Sequence, residues 1–183
     1  LNKNEIEKNE TLSSELFLMF KHLENLSDNI GYEIIDSKKT SETVYPAIKY
    51  KDMNDRIVIY GVPSGYEFGV FLESIDLIAN NNITHISEEL IEYFESIDES
   101  INNKLFVVPE CQHSPILAKI LITSSYLNRN IKTEIYQISD FPGLQKKYSI
   151  EGVPTTIINE EYAFVGMQPE TKLIEIYNKI VVG

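Results

Sequence analysis

From Lys104 to Gly183 the apolar residues switch repeatedly between a period of two and a period near 3.6, and this alternation limits the possible fold more than any single motif. It predicts a strand at Leu105 to Val108, a helix over about 112–128, a strand at Lys132 to Ile138, a short helix at Leu144 to Tyr148, a hairpin from Thr155 to Val165 and a closing helix from Thr171 to Val181. The order is β-α-β-α-β-β-α. Its first two strands need a crossover and so run parallel, whereas its last two are close enough to pair through a turn. An α/β unit with a mixed central sheet follows.

The first hundred residues carry a related but incomplete pattern. Leu12, Leu16, Met19, Phe20, Leu23 and Leu26 recur at three- and four-residue steps and predict an amphipathic helix over residues 11–27. Strands are expected at Tyr32 to Ile35, Val44 to Tyr50 and Arg56 to Tyr60, the last two joined as a hairpin through the turn-rich residues 51–55. Phe68, Phe71, Leu72, Ile75 and Ile78 mark a second helix, which the run Asn80-Asn81-Asn82 ends. A third, over about 87–98, begins with Ser87 as N-cap and two glutamates at its positive end. The Asn-rich stretches are expected in loops.

Pro46, a hairpin, Gly61, Pro63 and a helix are echoed about a hundred residues later by Pro154, a hairpin, Gly166, Pro169 and a helix. The repeat predicts two tandem units, residues 1–100 and 101–183. The first is degenerate or truncated: no strand precedes its first helix, and the stretch from Asp36 to Thr43 is too short for another helix.

Composition narrows the function classes. Sixteen basic and 28 acidic residues leave a net charge of -12, which repels phosphate backbones and anionic lipid, so neither nucleic acid nor a membrane surface is an expected partner. No apolar run is long enough to span a bilayer, and residues 1–10 lack the apolar core of a signal peptide. One cysteine cannot form an internal disulfide, which suits a reducing, cytoplasmic location. His22, His85 and His113 offer no zinc spacing with Cys111, and there is neither a phosphate loop nor a dinucleotide glycine motif, so no metal and no bound cofactor are expected.

The lone cysteine draws attention by its position. Cys111 follows the strand ending at Val108 and opens the next helix, in Pro109-Glu110-Cys111-Gln112-His113-Ser114-Pro115. Unpaired N–H groups and the positive end of the macrodipole at a helix start favour thiolate over thiol, and a protonated His113 would add to this; Glu110 next door opposes it. In Gly152-Val153-Pro154-Thr155, a proline opens what otherwise reads as a buried strand, where it removes a ladder donor. A cis bond at Val153-Pro154 resolves that conflict and exposes the Val153 backbone as a pairing edge for an extended peptide.

Through strand-Cys-x-x-x-Pro-helix, Gly152-Val153-Pro154-Thr155 and Phe164-Val165-Gly166, residues 104–183 resemble the second thioredoxin-fold unit of the glutaredoxin-like protein disulfide oxidoreductases. Gly61-Val62-Pro63-Ser64-Gly65-Tyr66-Glu67-Phe68 is similar to the end of the first unit in the same family. It is equally similar to the N-terminal domain of the alkyl hydroperoxide reductase flavoprotein subunit, whose first unit also lacks a cysteine pair. The resemblance implies two tandem thioredoxin-like units and thiol–disulfide exchange with disulfide- or thiol-containing proteins.

In such a cycle Cys111 is the nucleophile, with Ser114 and His113 beside it and Gln112, Val153 and Pro154 binding substrate. Family members carry Cys-x-x-Cys where this chain has Cys111-Gln112-His113-Ser114, so no second sulfur resolves a mixed disulfide. A monothiol cycle, with Ser114 donating to the Cys111 thiolate and glutathione or another external thiol as reductant, and a Cys-to-Ser variant of a dithiol enzyme both fit. A redox-inactive binding or scaffold module is the alternative. By its residues alone Glu67 reads as a solvent-facing acid at a helix start; the resemblance instead brings it towards the sulfur, where it and Glu110 would modulate Cys111.

Overall fold

Side chains two apart along a strand share a face, and Ile101, Leu105, Val107, Ile131 and Ile135 are each at most 1% exposed. These residues line one face of a single sheet. The computed structural model describes residues 3–36 and 44–182. Its strands are β1 (Ala47–Lys49), β2 (Ile57–Tyr60), β3 (Ile101–Val107), β4 (Ile131–Gln137), β5 (Thr155–Ile158) and β6 (Tyr162–Val165). Its helices are α1 (Lys3–Leu26), α2 (Tyr66–Asn80), α3 (Glu88–Glu95), α4 (Ser114–Leu127), α5 (Pro142–Lys147) and α6 (Glu170–Val182).

The strands form one six-stranded sheet in the order β1-β2-β4-β3-β5-β6. In its second half β3 runs parallel to β4 and antiparallel to β5, which pairs with β6, giving the expected β-α-β-α-β-β-α mixed sheet. The first half joins this sheet directly. β2 lies parallel to β4, from Ile57 opposite Thr133 to Tyr60 opposite Tyr136, and β1 pairs antiparallel with β2. One core is continuous across the boundary expected near residue 100: Phe71, Leu90 and Phe94 from the first half pack with Leu117, Leu121, Leu173 and Tyr177 from the second. Burying a side chain of this size contributes about 1.5–3 kcal/mol. The opposite face holds a smaller core around Val58, Tyr60, Phe106, Tyr136 and Ile157.

Local chemistry explains the element ends. Ser87 caps α3, its hydroxyl accepting from Leu90 N–H. Asn81 closes α2 in the left-handed conformation, while Asn80 and Asn82 both donate to Asp76.

Several expectations are corrected. The strand expected at Tyr32 to Ile35 does not form: among the described residues nothing pairs with it, and Ile34 and Ile35 are 68% and 63% exposed. Residues 51–53 make a single 3-10 turn in the predicted hairpin loop. Asn102 and Asn103, expected in a loop, belong to β3. Asn103 is buried and accepts from the Tyr177 hydroxyl at 2.7 Å, and Asn102 backbone N–H donates to Asn159 at 2.7 Å, although the Asn102 side-chain oxygen has no partner. The expectation for residues 36–43 falls, apart from Asp36, outside the described residues.

Candidate functional site

Three parallel strands, β2, β4 and β3, end at the same edge of the sheet, with β4 in the middle. The chain leaves β2 through Gly61-Val62-Pro63-Ser64-Gly65 into α2, and leaves β3 through Pro109-Glu110-Cys111-Gln112-His113 into α4. Both helices return over the same face and pack against each other. Their first turns therefore meet above the end of β4.

The two loops are locked together. Tyr66 N–H donates to Pro109 O at 3.1 Å. Gly65 has φ +56°, and a Cβ there would lie 2.5 Å from Pro109 O, so only glycine fits. Gly61, at φ +93°, is held as closely: a Cβ would lie 2.5 Å from an Asp140 carboxylate oxygen and 2.8 Å from Gln137 Cβ. The same Asp140 oxygen accepts from Val62 N–H at 3.1 Å. The Gly-x-Pro-x-Gly string of the first half thus clasps the loop that carries Cys111.

Cys111 lies just outside the helix it was expected to open. α4 starts at Ser114, with exposed His113 as N-cap making no side-chain capping bond and Pro115 in the first turn. Proline at 115 suits that turn, where N–H groups have no intrahelical partner. Cys111 N–H bonds to Val108 O at 3.2 Å, which makes the Pro109–Cys111 segment a turn. The thiol is half-buried and donates to the Val153 carbonyl at 3.7 Å. Val153–Pro154 is a cis peptide, as is Tyr45–Pro46. The Pro154 carbonyl accepts from Gly166 N–H at 2.7 Å, and Thr155 Oγ1 donates to Gly152 O at 2.6 Å, so the bend is held from both sides. Beside Val153 opens a groove of about 210 Å³ with Val108, Ile138 and Ile150 as its apolar wall and Gln145 and Glu151 among its polar lining.

Of the other expected site residues, Gln112 and Glu110 are exposed in the same loop. Ser114 departs from expectation. It is fully buried and its hydroxyl has no hydrogen-bond partner, so it does not donate to the sulfur; as the first residue of α4 it faces the core beneath the loop. Glu67 is not solvent-facing either. Only 2% of it is exposed, one carboxyl oxygen has no partner, and burial pushes its pKa up from 4.5 to about 7. The loop clasp draws the start of α2 under α4, which is why a helix-start acid is buried here.

The sequence reading missed Gln137 and Asp140. Gln137 ends β4, is 1% exposed, and neither atom of its amide has a partner. The only sequence signal was a polar residue closing an otherwise inward-facing apolar register. Among the described residues no group of three or more His, Cys, Asp or Glu is placed to hold a metal ion, and no helix is long and apolar enough to cross a membrane.

Residues 101–178 match the family model of the thioredoxin domain. The N-terminal domain of alkylhydroperoxide reductase AhpF from Enterococcus faecalis superposes with a TM-score of 0.77 at 21% identity, over 90% of this chain and 84% of that one. A protein disulfide oxidoreductase from Aeropyrum pernix superposes with a TM-score of 0.66 at 20% identity, over 80% and 64%. Sso1120 from Sulfolobus solfataricus is 33% identical with a TM-score of 0.53, over 58% of this chain and 62% of that one. No curated protein matches significantly in sequence. The chain therefore has a thioredoxin-like fold, and a protein disulfide oxidoreductase is among the proteins whose structures it resembles.

Proposed function

We propose that this protein carries out thiol–disulfide exchange through Cys111 alone. The observation that carries the reading is the approach of Cys111 Sγ to the Val153 carbonyl at 3.7 Å, across 42 residues of sequence and beside the cis Val153–Pro154 bond. It sets a partly accessible sulfur next to a backbone edge and a groove able to take an extended segment of a partner protein.

In the cycle, Cys111 reacts as its thiolate, the thiol proton passing to water. The thiolate attacks one sulfur of a partner's disulfide; a new S–S bond joins Cys111 to that sulfur, and the other leaves as thiolate. Two external thiols complete the turnover, glutathione being one candidate. The first attacks Cys111 sulfur, releases the reduced partner and leaves its own sulfur on Cys111. The second restores the Cys111 thiolate and carries both electrons away as a disulfide. Ser114 takes no part in resolution, having neither a sulfur nor a bond to Cys111.

Alkylation of Cys111 across a pH series, with mass spectrometry of the adduct formed with a disulfide-bearing peptide, tests this. One adduct, lost in Cys111→Ser, is expected. A sulfur that resists alkylation and forms no adduct ends the reading. The buried, unbonded Ser114 hydroxyl favours one second reading, a module that kept the fold and its peptide edge but lost turnover. It predicts partner binding that survives Cys111→Ser and no disulfide reduction with excess glutathione.

A further inference from the structure

The sheet has two edge strands, β1 and β6, and only one of them is protected. An edge presents a row of unpaired N–H and C=O groups to any other strand, and soluble proteins blunt it with short length, charge or proline. β1 is blunted in all three ways: it is three residues long, follows Pro46 and ends in Lys49. β6, Tyr162-Ala163-Phe164-Val165, carries neither a charge nor a proline. Tyr162 and Val165 are 39% and 60% exposed, and Met167 just beyond is 37% exposed. Among the described residues no strand lies on its far side.

The register of β6 on β5 decides which groups face outward. Gly166 N–H donates to Pro154 O at 2.7 Å, and in an antiparallel ladder bonded pairs alternate with unbonded ones. Phe164 and Tyr162 therefore bond Thr156 and Ile158 across the hairpin, and the N–H and C=O of Ala163 and Val165 point away from the sheet. Val165 O shows this directly, since it accepts from the exposed Gln168 Nε2 at 3.3 Å, where the amide of a further strand would sit. A second copy of the same edge supplies what these groups need. With two copies antiparallel and Ala163 of each opposite Val165 of the other, every outward group of both residues meets a partner. Phe164 then faces its own counterpart, Tyr162 faces Gly166, Glu161 faces Met167 and Glu160 faces Gln168. No acid is set against an acid, and Lys104 is ion-paired with Glu160 within each copy. Sliding the copies until Val165 faces itself would instead oppose Glu160 and Glu170, a destabilising pair.

We propose that β6 is a self-association edge through which two copies of this chain pair antiparallel about a two-fold axis at Phe164, joining their sheets into one. The same patch serves both copies, as a two-fold interface requires. A contact one short strand long belongs to the small, transient class, so pairing depends on protein concentration. The inference does not rest on the thiol-exchange reading.

The test is sedimentation of the full chain from about 10 µM to about 1 mM, a range suited to a contact of this size, under reducing conditions that exclude a Cys111 disulfide. The average mass is expected to rise toward twice that of one chain. Val165→Glu, at an exposed position, brings two carboxylates together across the axis and is expected to raise the concentration of half-association at least about tenfold. Ala163→Pro removes an outward N–H and no bond to β5, and is expected to act in the same direction. Amide exchange in the wild type should slow at least about twofold at Ala163 and Val165 between the lowest and highest concentrations, and stay constant at Phe164, which β5 already holds. A dimer that forms equally well in both variants lies elsewhere and overturns the proposal. So does a chain that stays monomeric to about 1 mM, even if an extended strand of another protein slows the same two amides.

Discussion

Replacing Glu67 by glutamine should remove a pH dependence that the fold imposes. Glu67 is only 2% exposed, and burial raises its pKa from 4.5 to about 7. The native state therefore holds a proton that the unfolded chain has released between those two pH values. Stability depends on pH through the difference in protons bound, unfolded minus native, which is negative in this window. The native protein is thus least penalised by Glu67 below about pH 4.5, loses stability as the pH rises to about 7, and loses no more from this group above it. Each pH unit in the window is worth about 1.4 kcal/mol, which puts the total near 3 kcal/mol. This is a ceiling, because any hydrogen bond to the ionised carboxylate reduces it. Urea unfolding of the wild type and of Glu67→Gln at half-unit steps from pH 4 to 8.5 measures the effect. The variant, neutral throughout, should gain on the wild type by up to about 3 kcal/mol between pH 4.5 and 7, with the slope m unchanged. Parallel curves across the whole range would refute the burial of Glu67 on which the site rests.

Gly65→Ala should cost about 2–4 kcal/mol, because the new Cβ meets Pro109 O in a backbone region open to glycine and the Tyr66–Pro109 hydrogen bond is lost; the urea midpoint should fall by about 1–2 M, and a fall below 0.3 M counts against the clasp. Ser114→Cys places a second thiol three residues after Cys111, and mild oxidation should reduce the free-thiol count from about two to zero; two titratable thiols after oxidation would show that the loop does not bring the positions together. Asn128→Ala removes the bonds that Asn128 Nδ2 donates to Phe94 O and Ile97 O at 2.8 and 2.7 Å, the shorter of the contacts these two carbonyls make between the two halves. A loss of about 2–4 kcal/mol is expected by chemical denaturation, and one under 0.5 kcal/mol would mean that water replaces the amide.

The secondary structure of residues 101–183 was legible because each element carries its own signal. Alternation in β4, the break at Gly152-Val153-Pro154 and the amphipathic closing helix are all set by neighbours in sequence. Cys111 could be singled out for the same reason: a strand, a cysteine and a proline within eleven residues locate a loop between two predictable elements. Tyr32 to Ile35 shows the limit. The residues are as strand-like as those of β2, yet a strand exists only when another strand accepts its hydrogen bonds, and sequence pattern does not name that partner. Asn103 fails in the opposite sense, since its amide looks unsuited to a buried strand until the Tyr177 hydroxyl arrives from distant sequence to donate to it.

The chain by itself determined the order of elements from residue 101 onwards, the exposed loop around one cysteine and the absence of a second cysteine, since each is a property of short stretches read along the backbone. Only the tertiary structure decided that β2 runs beside β4, and from that single pairing the rest of the site follows. Setting β2 there packs α2 against α4, closes Gly65 on Pro109 and takes Glu67 out of water. The physical reason is that burial and hydrogen-bond partnership are relations between segments. A glutamate at a helix start is a solvated acid or a buried proton store depending on what packs over it, and that neighbour lies far away along the chain.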